Sequence, residues 1–321
     1  MFEIELEDDL DLNKIADSGQ CFRWKRLDDR YYRITAFGRV LYLREKENIL
    51  QASCTEEEFR KIWGGYLDFP TCYRQIRKRI PEEDRFLTAA ADYGKGIRIL
   101  RQDPFETLIT FILSQRKNIP AIQSCVEKLC RVAGDFLGTF DGEDVFSFPT
   151  EKQLLRLRCR KCGDERCSWK EKGEESCSLG YRMPYIRETV RQWTELAGAD
   201  GQKGPRESLQ KLSDENLLNR LMEFKGVGVK VASCTALFGF HRLDFFPVDV
   251  WIGRVLKEQY PAGFDRSLYA PFAGVIQQYM FYYYRSRRQD DKSQNQKQKK
   301  KTENDGFNLR MQENRPRVMI R

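Results

Sequence analysis

A chain of 321 residues, 40% hydrophobic and 12% aromatic, is long enough for one large or two ordinary domains with packed cores. Its net charge of +8 is uneven: Ser286 to Arg321 holds eleven Lys/Arg against five Asp/Glu, which is +6 and leaves about +2 for everything before it. Affinity for nucleic acid therefore has to come from local motifs and not from the isoelectric point.

The single histidine, His241, removes Ser-His-Asp and Cys-His engines and multi-histidine metal sites from consideration. No apolar run reaches the ~20 residues of a membrane helix, so no membrane role is expected. The acidic start MFEIELEDDLDL lacks a basic-then-apolar leader, and ten cysteines without one read as reduced thiols. An intracellular protein is expected, cytoplasmic, nucleoid-associated or nuclear.

In chain order, Tyr31 to Thr35, Arg39 to Arg44 and Asn48 to Cys54 alternate as strands. From Thr55 the period turns helical, and Asp103-Pro104 opens a strongly apolar helix over PFETLITFILSQ. Further helices are predicted over Ile119 to Val132, Thr150 to Leu157, Tyr185 to Leu196, Leu209 to Phe224 and Leu268 to Tyr284. The expected class is α+β. A small N-terminal antiparallel-sheet α/β domain (1–95) precedes a mostly helical body (96–285), which carries a Cys-rich insert (158–178). A polar, Lys-rich tail (286–321) has no apolar period and reads as disordered.

The stretch Leu217 to Val255 reads as helix, glycine hairpin, helix, connection, helix. Gly226 and Gly228 permit a tight reversal, and amides exposed beside a helix N-terminus make a seat for phosphate. Neither a P-loop nor a dinucleotide fingerprint fits the spacing, so a helix-hairpin-helix grip on a DNA backbone is the better match. Lys230 falls in the first turn of an apolar helix, where dipole and desolvation both disfavour an ammonium and favour a nucleophilic amine. Asp249 stands where it could cap the next helix or face a reaction centre.

GVGVKVASC followed by PVDVW resembles the lysine-bearing, bifunctional branch of the helix-hairpin-helix DNA glycosylase superfamily. SGQCFRW (Ser18 to Trp24), LGYR (Leu179 to Arg182) and AGVIQQYMF (Ala273 to Phe281) narrow the resemblance to the 8-oxoguanine DNA glycosylase family. It runs from about residue 8 to residue 285, apart from the insert. It implies an enzyme that excises 8-oxoguanine from damaged double-stranded DNA through a lysine Schiff base and cleaves the abasic strand by β-elimination. Such an enzyme would act as a monomer and need no cofactor for its chemistry.

By position, the resemblance implies Lys230 as nucleophile and Asp249 as the carboxylate that stabilises a cationic sugar. Cys234 and Phe281 would sandwich the flipped base, Gln277 would read its pairing edge, and the Gly19 carbonyl would accept from N7–H. Gly226, Gly228, Tyr181, Arg182, Arg116 and Asn118 would face DNA, with Tyr181 as wedge and Arg182 reading the orphaned cytosine. The family's partner asparagine falls at Arg116 and a second arginine at Ala121, so relaxed choice of the opposite base is expected; Trp251 stands where the family's animal enzymes have histidine. Cys159, Cys162, Cys167 and Cys177 could hold a structural zinc or stand as idle thiols. Two rival readings stay open: a glycosylase for a ring-opened or alkylated purine, and a non-catalytic DNA-binding module.

Overall fold

The computed structural model describes residues 1–157, 179–199 and 204–288. Its N-terminal part is a five-stranded antiparallel sheet, with β1 (Phe2–Glu5), β2 (Trp24–Asp28), β3 (Tyr31–Ala36), β4 (Arg39–Lys46) and β5 (Ile49–Ala52) in the order β1-β5-β4-β3-β2. β1 and β2 are too short for alternation alone to mark them, and the sheet supplies their pairing partners. Leu41 and Leu43 point inward from β4 onto Leu12 and Ile15 of α1 (Leu12–Asp17). Glu45, on the same inward face, accepts from the Leu12 amide and so ties that helix to the sheet.

The helical body follows as α2 (Tyr73–Arg77), α3 (Arg85–Tyr93), α4 (Pro104–Leu113), α5 (Ile119–Ala133), α6 (Glu151–Arg156), α7 (Arg182–Ala199), α8 (Pro205–Gln210), α9 (Asp214–Met222), α10 (Val229–Phe238) and α11 (Val250–Gln259). A last helix, α12, covers 273–288. Side-chain caps set many of the starts: Asp103 accepts from Phe105 and Glu106, and Ser213 accepts from Asn216. α4 is buried nearly all round, and its Phe111 stacks on Phe238 of α10 at 5.7 Å between ring centroids. A further hairpin, β6 (Phe136–Phe140) with β7 (Glu143–Phe146), lies between α5 and α6, where no strand was expected.

Packing divides the chain differently from the expected boundary at residue 95. Tyr73, Ile76, Leu87, Ala90 and Ala91 join the core of the helical body, while the sheet core ends at Leu67 apart from Leu100. The reason is apolar facing: α2 and α3 turn their buried sides to the helices and not to the sheet. The tail boundary also moves. Ser286 to Arg288 continue α12, and Arg288 holds Glu258 at 3.1 Å, so a tail without structure cannot begin at 286. The helix expected from Leu268 instead starts at 273, because Pro271 interrupts it after a short 3₁₀ turn at Arg266–Tyr269.

Glu106, in the first turn of α4, carries a carboxyl that burial pushes up to about 7 against the pull of Arg23, with Asp103 and Glu127 adding to the rise. A raised carboxyl favours the fold while it is protonated, and that contribution is lost as pH climbs from about 4 to about 7. Glu106→Gln, which stays neutral, is therefore expected to gain roughly 2 kcal/mol over the native chain at pH 8 and little at pH 5. Thermal unfolding at the two pH values measures the difference, and an equal shift at both would contradict it.

Candidate active site

The hairpin geometry is set at Gly226. Its φ of +79° is left-handed, and a Cβ there would lie 2.7 Å from the Tyr185 ring, so both conformation and space require glycine. Gly228 differs from the expectation: with φ −96° and nothing within 4 Å of a Cβ position, the fold itself would accept a side chain. Its openness faces outward, beside the first amides of α10, where a phosphate would come close.

Around this turn the polar bonds converge. Gln115 donates to the Gly226 carbonyl at 2.7 Å, Arg182 donates to the Gln115 carbonyl, and Thr189 donates to the Lys225 carbonyl at 3.0 Å. Arg182 is buried and lies 4.3 Å over the Tyr181 ring, while Tyr181 is 47% exposed. Tyr181 thus has the exposure a wedge needs. Arg182, expected to contact DNA, is turned inward and holds the α4–α5 loop through the Gln115 carbonyl. Arg116 and Asn118 are both exposed, and Asn118 caps α5 through the Ala121 amide at 3.0 Å.

Lys230 sits in the first turn of α10 with Nζ 4.9 Å from the Phe111 ring centroid, an apolar wall beside the amine. Cys234, one turn on, is buried; burial pushes its thiol up, the hydrogen-bonded Lys230 pulls the other way, and Asp249 adds to the rise. Lys230, Cys234 and Asp249 therefore share one electrostatic neighbourhood. Asp249 caps α11, its Oδ1 accepting from Trp251 and Ile252 at 2.9 Å each. Oδ2 is left for other work. The structure records no Lys230–Asp249 ion pair among the described residues.

The expected base pocket is assembled from distant segments. Gly19 has φ +77°, and a Cβ there would stand 3.3 Å from both Phe281 and Ile119, which brings the 18–20 loop against α12. Gln20 locks that loop: its buried amide donates to Ser18 and to the Arg98 carbonyl at 2.9 Å each and accepts from Leu100 at 2.8 Å. Gln277 is also buried, and it donates to the Pro247 carbonyl at 3.0 Å and accepts from Gln278. A cavity of about 520 Å³ reaches Lys230 past Val229, Phe245 and Val248, but none of Gly19, Cys234, Gln277 or Phe281 lines it. Val229 and Val248, which line that cavity, are exposed apolar side chains, as is the neighbouring Val250.

Sequence reading gave no role to Gln20, although it lies inside SGQCFRW, and none to Arg285. Nothing in local periodicity marks either, since their partners are far away in the chain. His241 lies with Nε2 3.2 Å from the Ile99 carbonyl and 3.3 Å from Asp68. The four insert cysteines lie outside the described residues, and among the described residues no His/Cys/Asp/Glu group is placed to hold a metal. Likewise, no described helix is long and apolar enough to cross a membrane.

The two glycines make separable predictions. Gly226→Ala is expected to cost about 2–4 kcal/mol of stability through strain and the Tyr185 clash. Gly228→Ala should leave stability within about 0.5 kcal/mol yet weaken duplex DNA binding by about 1 kcal/mol. Unfolding and DNA titration of both variants check this; a Gly228→Ala protein with native DNA affinity would contradict it.

A family model described as 8-oxoguanine DNA glycosylase, N-terminal domain, matches residues 3–108. A probable N-glycosylase/DNA lyase of Methanothermobacter thermautotrophicus is 32% identical over 219 residues, 62% of this chain and 67% of that protein. The N-glycosylase/DNA lyase of Saccharomyces cerevisiae is 35% identical over 181 residues, 54% of this chain but 44% of the yeast protein, so the chain spans under half of that relative. A solved structure of the Clostridium acetobutylicum 8-oxoguanine glycosylase/lyase, in complex with double-stranded DNA containing cytosine opposite 8-oxoguanine, superposes with a TM-score of 0.73 at 31% identity. That superposition covers 90% of this chain and 99% of the clostridial one. With a relative 32% identical over two thirds of its own length and a solved 8-oxoguanine glycosylase/lyase fold matched over 90% of this chain, the chain belongs to the 8-oxoguanine DNA glycosylase family.

Proposed function

We propose that the chain removes 8-oxoguanine from damaged duplex DNA and then cleaves the abasic strand, acting as a monomer wherever the cell keeps its DNA. The observation that carries this reading is the convergence of Lys230, Cys234 and Asp249 beside a Gly226–Gly228 hairpin suited to a phosphate. Backbone grip alone needs neither the amine nor the carboxylate.

In this reading the damaged nucleotide flips out, at a cost of a few kcal/mol that stacking offsets. The Lys230 amine attacks C1′ and the C1′–N9 bond breaks, its electron pair leaving with the base. The sugar carries positive charge as this happens, and Asp249 stabilises it from a fixed position. Loss of a proton from the attached amine and opening of the ring give the C1′ imine. Removal of a C2′ proton then expels the 3′ phosphate oxygen, and water releases the lysine. No step calls on a cofactor.

Selectivity follows from one atom. N7 of 8-oxoguanine carries a hydrogen and that of guanine carries a lone pair, so the Gly19 carbonyl meets a donor in one case and an acceptor in the other. A buried mismatch of that kind costs about 1–3 kcal/mol. On the opposite strand, Arg116 and Ala121 replace the family's cytosine readers and Arg182 is already engaged. Opposite-base choice should therefore be relaxed.

Borohydride trapping on an 8-oxoguanine duplex should yield a covalent adduct that Lys230→Gln abolishes. Asp249→Asn keeps a capping oxygen and should unfold normally, yet lose on the order of 100-fold in base release. No adduct with the native chain would refute the reading. Excision rates opposite the four bases should fall within about tenfold of one another, where a single strong base contact would give up to about 100-fold discrimination; a cytosine preference of that size would defeat the proposal of relaxed choice.

A further inference from the structure

Arg285 follows Phe281 by four residues, one turn along the same face of α12. It is buried, at 8% exposed, and its guanidinium carbon lies 5.1 Å from the Phe281 ring centroid. Nη2 donates to the Asp17 carbonyl, but Nε and Nη1 have no partner among the described residues. Nη1 stands 3.5 Å from the position a Gly19 Cβ would take. No carboxylate lies within ion-pair distance among the described residues, and Asp17 and Asp249 act only from farther off. A buried cation with two unmade bonds is expensive unless some acceptor completes it.

The position of those unmade bonds says what the acceptor is. They border Gly19, whose carbonyl receives N7–H in the function proposed above, and the present inference rests on that reading. In 8-oxoguanine the carbons on either side of the N7 edge, C6 and C8, both carry carbonyl oxygens. A donor beside the Gly19 carbonyl therefore meets one of them. We propose that Arg285 is a specificity-determining residue whose Nη1 donates to a carbonyl oxygen flanking N7 of the extruded purine. The base edge then meets an alternating pattern, protein acceptor at N7–H and protein donor at the neighbouring oxygen. Burial lowers the affinity of the guanidinium for its proton, as expected of a cation whose environment is incomplete without a ligand.

The proposal separates two activities of one active site, because a preformed abasic site has no base for Arg285 to touch. Arg285→Met keeps an apolar stem against Phe281 and removes the donors. Single-turnover excision of 8-oxoguanine should fall about 10- to 100-fold in this variant, the size expected for loss of a charged hydrogen bond. Strand cleavage at a preformed abasic site opposite the same base should stay within about twofold, since no contact to the base is involved. Arg285→Lys, which retains charge but not the fork, serves as the second variant and should show the same split to a lesser degree. Equal losses in both activities would assign Arg285 a structural role, and unchanged excision would leave it none; either outcome overturns the proposal. Failure of the native chain to excise 8-oxoguanine while cleaving abasic sites would instead refute the substrate reading beneath it.

Discussion

One glycine pressed against one aromatic ring sets the frame of the site. Gly226 adopts a left-handed turn that leaves no room for a Cβ beside Tyr185, and every neighbouring element is referenced to it. Through Gln115 its carbonyl reaches the α4–α5 loop, and through Arg182 that loop reaches the segment bearing Tyr181. Gln192 of α7 accepts from the Lys225 amide, so the hairpin is pinned from its other side as well. The glycine turn and the segment bearing the exposed tyrosine are thus tied together by hydrogen bonds. Lys230 begins the helix that leaves this turn, which fixes where its amine can be relative to the phosphate seat.

The second constraint acts across the full length of the chain. Residues 18–20 and 277–285 meet at Gly19 and Phe281, and neither segment could hold a pocket wall alone. Gln20 makes this possible with a saturated buried amide, bonded to Ser18, Arg98 and Leu100. Arg98 is in turn buried against Tyr73 and donates to the Asp9 and Asp68 carbonyls, which couples the sheet to the helical body. Fully satisfied networks of this kind specify one arrangement, since each broken member leaves a buried polar group without a partner. The sheet domain is therefore tied mechanically to the candidate site, and Gly19 is its one residue in the proposed base pocket.

What could be read from the sequence follows the range of the forces involved. α4, α10 and α11 were legible because period, cap and proline signals are local, and Asp249 was legible as a cap for the same reason. β1 needed its partner β5 to be a strand at all, and the short β6–β7 hairpin carried too little alternation. The boundary at residue 95 failed because the choice of core by α2 and α3 is a tertiary decision. Family resemblance picked out Lys230, Gly19 and Phe281, but it could not say that Arg182 points inward or that Gly228, unlike Gly226, is not required by the turn. Gln20 and Arg285 escaped because their meaning lies in partners that are about eighty residues away for Gln20 and more than 260 for Arg285.

The two halves of the site differ in readiness. Asp249 is held by two amides of the helix it begins, so in the proposed function its carboxylate keeps its place as charge develops on a sugar, and little reorganisation is needed. The proposed recognition half is held by other contacts. Phe281 lies 3.3 Å from where a Gly19 Cβ would stand, Gln277 is tied to Pro247, and Arg285 Nη1, without a partner among the described residues, lies beside Gly19. Under that proposal a base recovers the energy of any contact it displaces only if its own edge replaces it. In the proposed function guanine offers a lone pair where the Gly19 carbonyl needs a donor, so that contact goes uncompensated, whereas 8-oxoguanine compensates at N7. With the carboxylate already fixed as a helix cap, the proposal puts discrimination before chemistry, in the binding of the base edge.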